Sequence, residues 1–275
     1  MTPIYVLTNN KGGVGKSTSA TNIALGLTAL LRQAGAARSK VLLVDTDSQA
    51  HATLVTTGSK DYSADNSLYG MLMADPEEAV QMLRNSIVSS TWDDNLHVLP
   101  GTPQLEQAER ELTSIPGAPY RLADPLAKIA QHYAAIVIDT RPSFSLMTEM
   151  ALVAATDAIV PVEPRYLETV GLLSVMSKIH AIRDGWRVPN LKVSGILVTK
   201  MDKRVKGHRY LLDELKASKQ LGRLLCGVIP MNEAVSYAHH HHQSIYAYDP
   251  KATASDAYAR LVSRLARCVH QGGVA

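Results

Sequence analysis

Short apolar runs alternate with helix-length segments along the chain, and this alternation predicts a parallel β-sheet covered by helices on both faces. Residues 4–8 read as the first strand, followed by a glycine-rich turn and a helix over about 16–33. Residues 40–44 form a second apolar run ending in Asp45, and residues 135–138 another ending in Asp139. Runs at 158–162, 193–198 and 227–229 complete the set. Several stop where a polar residue or proline begins, so their carboxyl ends can build one crevice. Between residues 58 and 130, Pro100, Pro103, Pro116, Pro119 and Pro125 break the pattern into short helices and connectors. No repeat and no linker divides the chain. The reading is a single α/β domain over 1–275, with a mostly parallel twisted sheet and helices on both faces.

Composition narrows the chemistry. With 275 residues the chain can bury a substantial core. One Phe and two Trp leave too few rings for a platform that stacks single-stranded bases. A net charge of +3 does not itself argue for nucleic acid, so any such case rests on a local patch. Cys226 and Cys268 match no metal spacing and read as reduced thiols. No stretch reaches the ~20 apolar residues of a membrane span. Residues 1–7 lack the basic start and apolar run of a signal peptide, so a cytoplasmic location is expected.

Lys11, Gly12, Gly13, Val14, Gly15, Lys16, Ser17 and Thr18 sit between the first strand and the first long helix, the context a phosphate-binding loop needs. The glycines let the backbone wrap round phosphate with N–H groups inward, and the helix N-terminus adds favourable charge. Lys16 is placed to reach the β- and γ-phosphates of ATP, and Ser17 to ligate Mg²⁺. Asn10 occupies the first glycine position of the strict motif, while a second lysine, Lys11, has entered the loop. Two lysines facing one cavity repel unless phosphate charge neutralises them. Asp45 and Asp139 supply carboxylates at strand ends for the metal, Asp139 in the manner of a Walker B residue. Asp47 is the candidate that positions the attacking water, by orientation more than by proton abstraction, since an ordinary carboxylate is a weak base at neutral pH. Slow turnover is expected.

The phosphate loop with its extra lysine, together with VDTDSQ at 44–49 and IVIDT at 136–140, resembles the ParA/Soj branch of the deviant Walker A ATPases. Segments at 95–101, 161–171, 195–204, 228–232 and 248–250 are similar to family segments in the same order, so the resemblance covers essentially the whole chain. It begins at Met1, and an N-terminal helix-turn-helix extension is therefore expected to be absent. The resemblance implies a nucleotide switch. Two ATP-bound copies form a homodimer in which Lys11 of each reaches the phosphates of the other. The dimer binds nonspecific double-stranded DNA over the nucleoid, and a ParB-like or other cargo-bound activator stimulates hydrolysis. It also implies that Pro230 and Asn232 lie beside the adenine.

Ser48 and Arg141 depart from the family pattern, each standing where a proline is usual. Losing that fixed φ is expected to loosen the turn carrying Asp47 slightly. Arg141 reads either as a phosphate or cross-dimer contact or as a surface arginine paired with a nearby acid. Residues 239–242 are four consecutive histidines; the alignment needs no gap there, so they read as a native loop, and such neighbours cannot all face one ion in regular structure.

Lys200, Lys203, Arg204, Lys206 and Arg209 form the densest basic cluster, offset by Asp202. Without a recognition-helix pattern it predicts phosphate contacts and no sequence readout. Met231 stands where related proteins often carry a DNA-contacting arginine. Two rival readings remain open to test. A membrane-associated positioning ATPase of the MinD type needs a C-terminal amphipathic helix with exposed apolar anchors. A redox or metal-cluster ATPase needs paired cysteines.

Overall fold

The computed structural model describes residues 1–164 and 169–271; residues 165–168, part of the family-like segment at 161–171, lie outside the described residues. The strands are β1 (Ile4–Leu7), β2 (Val41–Asp45), β3 (Val88–Ser89), β4 (Leu96–Leu99), β5 (Ala135–Asp139), β6 (Asp157–Val162), β7 (Lys192–Met201) and β8 (Leu225–Pro230). They form one sheet in the order β3-β4-β2-β5-β1-β6-β7-β8. Among the described residues only the edge strand β3 is antiparallel to its neighbour.

Alternate residues of the central strands enter two different cores. Ile4, Val6, Leu42, Val44, Ile136 and Ile138 face one, and Tyr5, Leu7, Val41, Leu43, Ala135 and Val137 face the other. A strand buried on both faces has no polar side, which is why these segments read as continuous apolar runs. Helix α1 (Lys16–Gln33) buries Ala20, Ile23, Ala24, Leu27 and Leu31 on the second face, the spacing of one helical stripe. On that face it meets α2 (His51–Thr57), α10 (Glu233–His240), α11 (Ile245–Tyr248) and α12 (Thr253–Gln271). The first face carries α3 (Leu68–Met73), α4 (Ala79–Ser86), α5 (Leu105–Leu112), α6 (Tyr120–Ile129), α7 (Leu146–Ala154), α8 (Thr169–Gly185) and α9 (Lys206–Ala217).

Pro125 does not break the chain as the sequence predicts. It lies buried inside α6, whose apolar residues Leu122, Leu126 and Ile129 pack into the core and hold the helix through the lost hydrogen bond. In α12, Tyr258, Leu261, Val262 and Leu265 are all buried against the sheet and α1. No helix among the described residues is long and apolar enough to cross a membrane.

β1 is flanked by β5 on one side and β6 on the other. The chain order reverses about this strand, and the loop leaving its carboxyl end opens into the crevice.

Candidate nucleotide-binding site

The loop after β1 is fixed from both sides before any ligand is considered. Asn9 donates from Nδ2 to the Pro161 carbonyl at 2.7 Å, and its Oδ1 accepts from the Lys11 N–H at 3.0 Å. Thr199 on β7 donates to the Val14 carbonyl at 2.9 Å. Gly13 and Gly15 adopt φ of 72° and 81°, a left-handed conformation that costs an L side chain energy. Gly15 is the N-cap of α1 and no side chain caps that helix. Its first-turn N–H groups therefore face the cavity rather than a protein acceptor, the arrangement of an anion site.

That cavity measures 790 Å³ and is lined by Gly12, Gly13, Gly15, Lys16, Ser17 and Thr18 on one side. Asp47, Ser48, Arg141, Lys200 and His239 line the rest, with neighbours of each. A second cavity of 240 Å³ adjoins it at Gly15 and Thr18 and is walled by Pro230 and Asn232. Asn232 caps α10, its Oδ1 accepting from the Ala234 N–H at 2.9 Å. Lys11 does not line the larger cavity; its carbonyl accepts from Lys16 Nζ at 2.9 Å.

Three carboxylates lie at or just beyond the ends of β2 and β5. Asp45 and Asp139 are register partners on adjacent strands, and neither is exposed. Asp45 is well supported: Thr53 donates to Oδ2 from both its N–H and its hydroxyl, and the Asp47 N–H reaches Oδ1. Burial nevertheless pushes its carboxyl up to about 6. Asp139 is different. Neither of its oxygens has a hydrogen bond of regular geometry, although the Ser17 hydroxyl lies close enough to favour its ionised form. Burial first, and then the Asp45 charge, hold it well above the usual carboxylate range. Lys16 is lowered by burial, partly offset by the charges of Asp139 and Asp47. A fully buried, unsatisfied carboxylate beside a serine hydroxyl and a lysine is poised for a cation. Among the described residues no three His, Cys, Asp or Glu side chains converge as a metal cage. A Mg²⁺ ion, which retains water and borrows phosphate oxygens, needs none. The residues fit it.

Asp47 sits in a turn where its Oδ1 accepts from the Gln49 N–H at 3.0 Å and its carbonyl from the Ala50 N–H at 2.9 Å. Ser48 is buried and donates to Glu106 at 3.0 Å, so its turn is tied to α5 and not merely loosened. Arg141 pairs with Glu109 at 2.7 Å while still lining the cavity.

Sequence reasoning misses several site residues and misplaces others. His239 and His240 line the cavity because they close α10; the tract expected as a loop is helical in its first half. His239 is lowered by burial, then by His51 and His242. Lys200 parts from the basic cluster: it lines both cavities and lies 3.9 Å from the buried Glu163. Lys203, Arg204, Lys206 and Arg209 remain on the surface. Arg204 makes a two-point bond to Asp202, at 3.0 and 2.9 Å. Cys226 is buried, donates to the Ile196 carbonyl and is pushed up to about 12 by burial, an inert thiol. The Cys268 side chain lies outside those described.

Residues 2–193 match the family model of the AAA domain. The chain is 31% identical over 266 residues to the sporulation initiation inhibitor protein Soj of Bacillus subtilis (strain 168), covering 97% of this chain and 99% of that one. It is 32% identical to the chromosome partitioning protein ParA of Myxococcus xanthus (strain DK1622), covering 94% and 86%. Among solved structures it is similar to cobyrinic acid a,c-diamide synthase from Mycobacterium smegmatis with bound ADP and magnesium. That match has a TM-score of 0.72, 26% identity, and coverage of 99% of this chain and 97% of the other.

Proposed function

The chain belongs to the ParA/Soj-type partition ATPases of the P-loop class, and on that premise we propose that it is a dimerising switch that hydrolyses Mg-ATP and positions cargo on nonspecific DNA. The observation that carries the ATP half is the unsatisfied Asp139 carboxylate buried beside Ser17 and Lys16 at the foot of the loop. Ser17 and Asp139 would hold Mg²⁺, with Asp45 the register partner of Asp139 on the adjacent strand. What the ion supplies when bound is neutralisation of charge on the β- and γ-phosphates. The N–H groups of Gly12, Gly13, Val14, Gly15 and Thr18 cradle the phosphates, and Lys16 leaves the Lys11 carbonyl for them. Asp47 orients the attacking water. Pro230 and Asn232 receive the adenine in the adjoining cavity. Lys11, which stays out of its own cavity wall, serves the phosphates of a second copy.

The DNA half rests on Lys203, Arg204, Lys206 and Arg209, which share one exposed segment and suit phosphate contact without base readout. An activator carried by the cargo, ParB-like in kind, then times hydrolysis and dimer release over the nucleoid. A membrane-surface role has less support, because the apolar face such a role needs on α12 is buried in the core.

Binding to random-sequence duplex DNA tests the reading, measured without nucleotide, with ADP and with ATP-Mg²⁺. The expected result is binding with ATP alone, retained in Asp47→Ala and steeply weakened by salt. Dimerisation with ATP but no DNA binding in any state would overturn the DNA half and leave the ATPase standing.

A further inference from the structure

Two acidic residues on α5 bond to both loops that carry the reaction's carboxylates. Glu106 and Glu109 are three residues apart and so share a helix face. The Glu106 Oε1 accepts from Ser48, the residue after Asp47. Glu109 Oε2 pairs with Arg141, two residues beyond Asp139, and its Oε1 accepts from the Leu146 N–H at 3.1 Å, where α7 begins. Both loops line the nucleotide cavity, one through Asp47, Ser48 and Gln49, the other through residues 140–143. Helix α5 is itself anchored by Leu105, Ala108 and Leu112, all buried. One element thus ties two neighbouring loops of the cavity, which leave the adjacent strands β2 and β5, by side-chain bonds.

We propose that Glu106 and Glu109 are positioning residues for ATP hydrolysis, clamping the Asp47 turn and the loop after Asp139 to one helix so that both are held in place against the γ-phosphate together. The proposal rests on the ATPase reading. It also gives a common purpose to Ser48 and Arg141, the two positions where prolines were expected. A proline stiffens a loop permanently, whereas a hydrogen bond to α5 fixes it only while α5 stays in place. Whatever shifts α5 then shifts both walls.

The clamp acts on the chemical step and not on nucleotide binding, so its removal should divide kcat from KM. Ser48→Ala, Glu106→Ala, Arg141→Ala and Glu109→Ala should each lower kcat roughly tenfold, the worth of one such bond. KM for ATP and the affinity for ADP should stay within about twofold. The paired variants Ser48→Ala/Glu106→Ala and Arg141→Ala/Glu109→Ala should fall no further than their single members. Ser48→Thr and Arg141→Lys keep a donor and should hold most of the rate. Gln107→Ala, on another face of α5, should leave it unchanged. Thermal unfolding of every variant separates the clamp from misfolding. Unchanged kcat in the Ala variants, additive losses within a pair, or losses that follow unfolding midpoint and KM alike would each overturn the clamp. Wild type and Asp47→Ala are run alongside. A wild type without ATPase activity overturns the ATPase reading and the clamp together, whereas normal wild-type turnover beside unchanged variants removes the clamp alone.

Discussion

Gly101 lies so close to Asp45 that a Cβ on it would stand 2.7 Å from the Asp45 carbonyl oxygen, and 2.9 Å from that of Asp47. The Gly101 N–H also donates to Thr53 Oγ1, which in turn donates to the Asp45 carboxylate. The end of β4 is therefore packed directly on the turn that presents Asp47. Both obstructing atoms are backbone, so no side chain can swing aside. Gly101→Ala should destabilise the protein by about 1–3 kcal/mol in urea unfolding and displace Asp47. ATP turnover in folded Gly101→Ala should fall, and a variant with normal stability and rate would show that the turn tolerates the push.

Ala50 takes φ of 50° at the start of α2, beside Asp47. A left-handed alanine costs about 1–2 kcal/mol, of which the extra unfolded-state freedom of glycine returns about 0.4–1. Ala50→Gly should thus stabilise the nucleotide-free protein by a fraction of a kcal/mol, read as a higher urea midpoint at constant m.

Asp139 gives a prediction with two opposite signs. Without nucleotide its carboxylate is buried and unsatisfied, so Asp139→Asn should raise the free energy of unfolding by on the order of 1 kcal/mol, seen as a higher unfolding temperature. With ATP, the part of the stabilisation that disappears when Mg²⁺ is chelated in wild type should be missing from the variant. Equal Mg²⁺-dependent shifts in both proteins would remove Asp139 from the metal site.

His97 on β4 offers a pH test away from the site. Burial, then the charge of Lys40, lowers it below its ordinary 6.5, and Nδ1 lies 3.0 Å from the Tyr133 hydroxyl. A depressed histidine binds its proton more readily when unfolded. Its contribution is therefore complete above pH about 6.5 and is lost as pH falls below that value. Unfolding free energy measured from pH 7.5 to 5 should decline less steeply in His97→Gln than in wild type.

The parts of the site legible in the sequence are those whose signal is local. Residues 11–18, Asp45, Asp47 and Asp139 follow apolar runs. Gly12, Gly13, Gly15, Lys16, Ser17, Thr18 and Asp47 line one cavity. Asp45 and Asp139 are register partners on adjacent strands, and Lys11 and Val14 stay out of the cavity lining. What escaped is long-range. Glu106 lies 58 residues from Ser48 and Glu109 lies 32 from Arg141, and nothing near either glutamate marks it as a partner. Strand β4 gives no strand signal in the sequence, because four residues interrupted by His97 make too short an alternation. Lys200 stands among basic neighbours along the chain, and proximity in sequence alone joins it to them. It takes a φ of 51° near the end of β7 and lines the cavity wall, where side-chain direction and not sequence distance decides its company.

The surface that remains for DNA can be tested by adding charge as well as by removing it. Lys203 and Lys206 are exposed, and Arg209 donates to the Lys203 carbonyl, which fixes the turn leading into α9. Arg204 is held by Asp202, whose carboxyl is kept down at about 2 by that arginine. The pair presents almost no net charge to a phosphate. Lys203→Ala and Lys206→Ala should each weaken ATP-dependent DNA binding equally across sequences and reduce the slope of log affinity against log salt by about one. Asp202→Asn frees Arg204 without touching the fold of the cavity, so it should bind DNA more tightly and steepen the slope by a similar amount. Tighter binding from the loss of a single acid is hard to obtain by damage. If Asp202→Asn leaves affinity and slope where they were, this segment does not face DNA, and the interface lies on another part of the surface.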